Sequence, residues 1–334
     1  LSKRLIGDLK KDPRPGEEVK SIFYTQRKEI KRTKTGDLYL SLELSDRTGT
    51  LEAKMWDQVL KYKDRFSERD FVKVTGRTSI YRDQLQLEID DIRRCREDEV
   101  NLLDFIRSTE ADPVELEGTL RLTVSGIRNG YLRGLLDSFL EDEELVNLWV
   151  KAPAAKNYHH PYLGGLLEHT VAVTTLCQKV CDLYPLVERE LLIAAAILHD
   201  VGKIKELDYQ RNIEYSDRGR FLGHLVLGDE MVREHINRIE GFPPELEMRL
   251  RHAILSHHGE LEWGSPKQPM TLEALILHHV DNLDAKINSF IEITEHRLEG
   301  NGKWTDVRNL FKRPLYVPKS IDQEMELPLE EDLF

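Results

Sequence analysis

A chain of 334 residues, 40% apolar and 32% charged, is long enough for two domains with cores of their own. No stretch approaches 18 uncharged apolar residues and no basic-then-apolar signal opens the chain, which argues against a membrane partner and for a cytoplasmic protein. Three cysteines, Cys95, Cys177 and Cys181, cannot form a disulfide framework, and the formal net charge of −12 argues against a polyanionic partner only if it is spread evenly.

It is not spread evenly. Residues 15–96 carry 18 Lys/Arg against 15 Asp/Glu, a small basic excess in an acidic chain. After an extension over residues 1–14, Glu18 to Lys31 reads as a first strand. Leu38, Leu40, Leu42 and Leu44 alternate with polar residues, as do Leu51, Ala53 and Met55, on either side of a turn at Asp46-Arg47-Thr48-Gly49. A helical stretch from Asp57 to Phe66 precedes strands at Phe71 to Ile80 and Leu85 to Ile92. Five strands with a helix between the third and fourth is the order of an OB-fold barrel over residues 15–96. The outward side of its second and third strands offers Tyr39, Lys54 and Trp56, two stacking rings and a phosphate partner for a single strand of nucleic acid.

Residues 97–112 read as a charged linker with a short helix from Leu102 to Ser108. Beyond it the helical period predicts helices over Pro113–Asn129, Tyr131–Leu140, Asp142–Lys151, Gly165–Tyr184, Glu188–Asp200, Gly223–Ile239, Pro244–Ser256 and Thr271–Glu295. The second domain, residues 113–315, is therefore expected to be all-α, with an acidic tail over 316–334. Cys177 and Cys181, four apart on one helix, read as buried apolar residues and not as a metal pair.

The chemistry lies in this helical part. His199-Asp200 follows Leu191 to Leu198, an apolar run that must be buried. An aspartate at the carboxyl end of such a helix meets the negative end of its dipole, a penalty that a bound cation reverses. Gly202 reads as the helix stop, with Lys203 at the same corner. His169, His224, the pair His257-His258, and Asp281 with Asp284 three residues on repeat the pattern of imidazoles and carboxylates on apolar helices. One of Asp281 and Asp284 is a candidate to orient a ligating histidine. Together they predict a metal centre.

His169, His199-Asp200 and Asp281 match the H…HD…D signature of the HD-domain metal-dependent phosphohydrolases, and His224 with His257-His258 resembles the two-metal branch of that superfamily. With the barrel ahead of it, and with His159-His160-Pro161-Tyr162-Leu163-Gly164-Gly165-Leu166-Leu167-Glu168-His169 and Leu222-Gly223-His224, the chain resembles the YhaM family of bacterial 3′-to-5′ exoribonucleases. The resemblance implies one ion held by His169, His199, Asp200 and Asp281, and a second by Asp200, His224 and one or both of His257 and His258. The donor set suits Mn²⁺, or Co²⁺, Fe²⁺, Ni²⁺ or Zn²⁺. Two ions would acidify a water for in-line attack on phosphorus. Lys203 would neutralise charge on the phosphate, His159 and His160 would assist the leaving oxygen or stack on the terminal base, and Arg218 and Arg220 would hold upstream phosphates. The implied substrate is single-stranded RNA or DNA, shortened to nucleoside 5′-monophosphates. An HD-type phosphodiesterase for small cyclic nucleotides and a non-catalytic strand-binding protein stay open, as does homo-oligomerisation.

Overall fold

The computed structural model describes residues 4–82, 84–156, 160–209, 212–295 and 303–317. The chain divides into two compact units, Leu1–Ser108 with Asp208–Glu214, and Thr109–Leu207 with Tyr215–Phe334.

The first unit is a closed barrel. Strands β1 (Glu18–Arg32), β2 (Leu38–Asp46), β3 (Gly49–Met55), β4 (Phe71–Tyr81) and β5 (Gln84–Arg94) run in the order β1-β2-β3-β5-β4, and β4 pairs back to β1. All ladders are antiparallel except β3–β5. This is the OB-fold order, and closure removes the exposed sheet edges that would otherwise pair with another chain. The alternation in the sequence becomes the core: Leu40, Leu42, Leu44, Leu51, Ala53 and Met55 all point inward and are buried.

Three expectations change here. Within the extension expected ahead of the barrel, helix α1 (Ile6–Lys11) inserts Ile6 and Leu9 into the barrel core and the Ile6 amide donates to Asp46 Oδ2 at 2.6 Å. The helix expected from Asp57 to Phe66 shrinks to α2 (Val59–Tyr62). Gln58 adopts a left-handed conformation ahead of it, and Val59, Tyr62 and Phe66 are spent on the barrel core. The linker is also folded. Its helix is a single 3-10 turn at Leu102–Asp104, the Arg47 amide donates to Asp104 O at 2.9 Å, Phe105 packs on Phe71 and Ile106 is buried.

The second unit is helical, with α3 (Pro113–Ser125), α4 (Gly130–Leu140), α5 (Glu143–Lys151), α6 (Gly165–Leu183), α7 (Arg189–Leu198), α8 (Lys203–Glu206), α9 (Asp217–Ile236), α10 (Pro244–Ser256) and α11 (Leu272–Glu295). Strands β6 (Leu207–Asp208) and β7 (Glu214–Tyr215) form a short ribbon between α8 and α9. Side chains of Asp112, Asn129 and Asp142 cap α3, α4 and α5, which start one residue after them. The apolar run of α7 is buried throughout and packs against α6, which bears His169, α11, which bears Asp281, and α10, whose end leads into His257 and His258. Cys177 and Cys181 are buried on α6, as an apolar reading of the pair requires. Tyr316 and Val317, placed in the tail by the sequence, are ordered against this unit: Tyr316 bridges to Trp304, and Val317 is buried. Residues 318–334 lie outside the described residues. None of the described helices is long and apolar enough to cross a membrane.

Candidate metal centre and nucleic-acid face

Helices α7 and α10 end in the same way. A histidine follows the last helical residue and turns its ring back on the helix: His199 Nδ1 donates to Ala196 O at 2.8 Å, and His257 Nδ1 to Ile254 O at 2.7 Å. Each ring thereby satisfies a carbonyl that the helix end leaves unpaired. A carbonyl only accepts, so Nδ1 carries the proton and Nε2 of the neutral ring presents a lone pair. Three more histidines are fixed likewise. His169 Nδ1 faces Asp284 Oδ2 at 2.7 Å, His224 Nδ1 faces Glu206 Oε1 at 3.1 Å, and His258 Nδ1 faces Trp263 O at 3.0 Å.

The five Nε2 atoms converge. His169 and His199 approach each other at 3.2 Å, as do His224 and His258, nitrogen to nitrogen with both tautomers set as acceptors. Such contacts repel unless a cation lies between them. The carboxylates supply the countercharge. Asp200 Oδ2 is 3.4 Å from both His169 and His199, while its Oδ1 is 3.5 Å from His224 and 3.6 Å from His257. Asp281 Oδ1 is 3.2 Å from His169 and 3.7 Å from His199. Asp200 Oδ1 is buried and has no hydrogen-bond partner, which is costly without a cation. The donor set therefore fits divalent metal. Asp281 and Asp284, three apart on α11, grip opposite nitrogens of the same His169 ring.

The electrostatics agree. Burial pulls the His169 and His199 pKa values down, but the carboxylates outweigh it; His199 is raised to about 9 and His169 is also raised. Without an ion, this pocket draws a proton to the place a cation would take. Burial raises Asp200 and Asp281, yet Lys203 and His199 at the first, and His169 and His199 at the second, hold both well below the usual carboxylate range. His257 is lowered, by burial first and then by its histidine neighbours.

Several expectations meet a different geometry. Lys203 is buried and its Nζ donates to Asp200 Oδ2 at 2.5 Å, so a lysine already relieves part of the dipole penalty on Asp200. Gly202 is not a left-handed helix stop. It has right-handed backbone angles, and a Cβ there would lie 2.1 Å from His224 O, so its role is close passage of α9. His224 begins a helical run directly after Gly223, as the sequence leads one to expect, and a further run precedes it. Helix α9 starts at Asp217 and breaks at Gly223, whose φ of 72° and ψ of 160° favour glycine, and Glu206 accepts the freed His224 amide at 3.0 Å. His160 does not face the cage. It is buried behind Asp284, with Nε2 at 3.3 Å from Asp284 Oδ2 and Nδ1 at 2.6 Å from Tyr162 Oη, where it supports the carboxylate that orients His169. His159 lies outside the described residues. Arg218 and Arg220 are exposed on the first half of α9, and Arg218 pairs with Glu230 at 3.3 Å. Glu206 and Trp263 O, which hold His224 and His258, were missed; no sequence spacing marks them.

On the barrel, Trp56, one residue past the end of β3, stacks on Tyr39 of β2 with centroids 4.7 Å apart, and Lys54 Nζ lies 6.0 Å from the Trp56 ring. Lys54 Nζ also sits 5.2 Å from the ring of Tyr81, an exposed fourth member at the end of β4, one residue past the strand expected from the sequence.

Comparison with known proteins agrees with both halves. The HD domain family matches residues 166–286, and a family described as an OB-fold nucleic acid binding domain matches 25–94. The molecule is thus an HD-domain protein that carries an OB-fold barrel ahead of its helical unit. The chain is 36% identical over 307 residues to the 3′-5′ exoribonuclease YhaM of Bacillus subtilis (strain 168), covering 91% of this chain and 96% of that one. Proteins of the same name from Listeria welshimeri serovar 6b and Halalkalibacterium halodurans are 34% and 31% identical, covering 95% and 93% of this chain and 99% and 97% of theirs. The chain belongs to the YhaM family.

Proposed function

We propose that this protein is a metal-dependent 3′-to-5′ exonuclease that shortens single-stranded RNA, with single-stranded DNA as a second substrate, and releases nucleoside 5′-monophosphates. The observation that carries this is the convergence of five imidazole lone pairs on Asp200 and Asp281, with the two oxygens of Asp200 turned to different histidine groups. His169, His199, Asp200 and Asp281 would hold one divalent ion, and Asp200, His224, His257 and His258 a second, with Mn²⁺ the first expectation among Mn²⁺, Co²⁺, Fe²⁺, Ni²⁺ and Zn²⁺. When bound, such ions supply the Lewis acidity that activates a water and offsets charge on the phosphate.

The chain's own residues do the remaining work. Asp284 and Glu206 fix the tautomers of His169 and His224, Lys203 holds Asp200 and brings positive charge to the floor of the cleft, and buried helices keep the cage rigid. Tyr39, Lys54, Trp56 and Tyr81 would hold the strand by stacking and charge, because one nucleotide in the centre gives little affinity. The activity in the names of the YhaM relatives supports both the substrate and the direction. The test is incubation of a 5′-labelled RNA and its DNA equivalent with Mn²⁺, followed by product sizing. A ladder shortening from the 3′ end with mononucleotide release is expected. Turnover of a cyclic dinucleotide with the strands left intact would favour a small-nucleotide phosphodiesterase, and strand binding without cleavage would favour a binding protein.

A further inference from the structure

A cleft of about 200 Å³ opens beside the cage, lined by Lys203, His257, His258, Trp263, Asp281 and Asn282 among others. It is smaller than the usual site for a drug-sized ligand, a size suited to one nucleotide end rather than to a paired strand. One wall is Trp263, a residue 53% exposed. A lone exposed tryptophan is ordinary on a protein surface. This one is not loosely held.

Its backbone carbonyl accepts from His258 Nδ1 at 3.0 Å, which ties it to a candidate ligand. The loop that carries both is pinned along its length. Gly259, at φ 77°, presses so closely on α11 that a Cβ would lie 2.2 Å from the His278 ring, and His278 Nδ1 donates to His257 O at 2.8 Å. The Trp263 and His278 rings lie 5.9 Å apart, and Ser265 closes the loop through Leu255 O and Lys267 O. The backbone that carries the indole is thus fixed at the edge of the cleft, so that much of the loop's ordering cost is met on folding rather than on binding.

We propose that Trp263 stacks on the base of the 3′-terminal nucleotide and so sets the scissile phosphate against the cage. The proposal rests on the exonuclease reading above. Stacking suits such an enzyme because every base offers a π face, so one residue serves each nucleotide that arrives at the end.

The test is a cycle that crosses the protein with its substrate. Full-length wild type and W263A are given Mn²⁺ and two RNAs that differ only in whether the 3′-terminal nucleotide carries a base. In the wild type, loss of the base lowers kcat/KM by about tenfold or more, the scale of one stacked base. In W263A this penalty falls below about threefold, while bound metal, read by elemental analysis, matches the wild type. An equal penalty in both proteins, or no penalty in the wild type, overturns the proposal. W263F and W263L separate stacking from filling should W263A lose metal: Phe keeps most of the penalty and Leu loses it, and equal behaviour again overturns the proposal. Failure of the wild type to shorten RNA from its 3′ end sinks the exonuclease reading itself, whereas normal shortening with an unchanged penalty in W263A sinks only the role of Trp263.

Discussion

At the scale of single residues, the cage is a set of tautomers. Five histidines are each told which nitrogen to protonate by a carbonyl or carboxylate behind the ring, and only then do the lone pairs meet. Replacing Asp200 by Asn is expected to lower kcat by at least about a thousandfold while strand binding persists, since it removes the charge common to both groups; gel shift beside a rate assay checks this. Asp284→Asn and Glu206→Gln are expected to weaken metal binding by about 10- to 100-fold, measured by chelator competition. His199 yields a pH prediction. Its folded pKa of about 9 exceeds the ordinary 6.5, so in metal-free protein its contribution to stability is present below about 6.5 and lost as pH rises through 9. Metal must displace that proton, so affinity for Mn²⁺ rises across the same window. Thermal melts with and without Mn²⁺ at pH 6.5 and 9 give opposite trends; a metal-free protein that gains stability toward pH 9 contradicts the protonated pair. The ligand types were legible because polar residues stand out on apolar helices. The groups behind them were not: Trp263 holds His258 through its carbonyl, which any residue has, and Glu206 is one glutamate among many in a highly charged chain.

At the scale of elements, the existence of strands and helices was legible and their ends were not. Period-two leucines in β2 and β3, and the unbroken apolar run of α7, leave little choice of structure. The end of α7 escaped because it depends on His199 folding back onto Ala196 O; the helical run after Gly223 was legible, whereas the turns from Asp217 to Leu222 ahead of the break were not. Residues 113–151, silent in motif, supply α3, α4 and α5, of which α3 and α5 pack on α6 and bury Leu120 and Trp149. Gly202 carries the prediction at this scale. In Gly202→Ala, His224 O and Gly228 N must give way to a new methyl group, so the variant is expected to lose about 1–3 kcal/mol and several degrees of Tm, with weaker metal binding because His224 moves. Calorimetry and a metal titration on one sample test both effects.

At the scale of the whole molecule, two units divide the work by chemistry: rings and a basic excess on the barrel, lone pairs and carboxylates in the helical unit. Trp56→Ala is expected to raise KM for long strands by about five- to a hundredfold, with a much smaller effect on a dinucleotide, since it removes one stacking surface. Equal effects on both lengths would assign Trp56 to barrel stability instead. Chelation should lower the melting temperature of the helical unit by several degrees, as expected for loss of a ligand present at about a hundred times its Kd. The folded linker bears on any dissection: with Phe105 against Phe71 and Ile106 buried, a cut at residue 96 would strip part of the barrel's packing.

One aspartate touches both histidine clusters. Because Asp200 turns a different oxygen to each, on the proposed two-ion reading an ion on one side would fix the orientation of the acid for the other, while its charge would discourage the newcomer. Filling of the two places would then be coupled, and a titration with manganese is expected to depart from the simple curve of two independent sites.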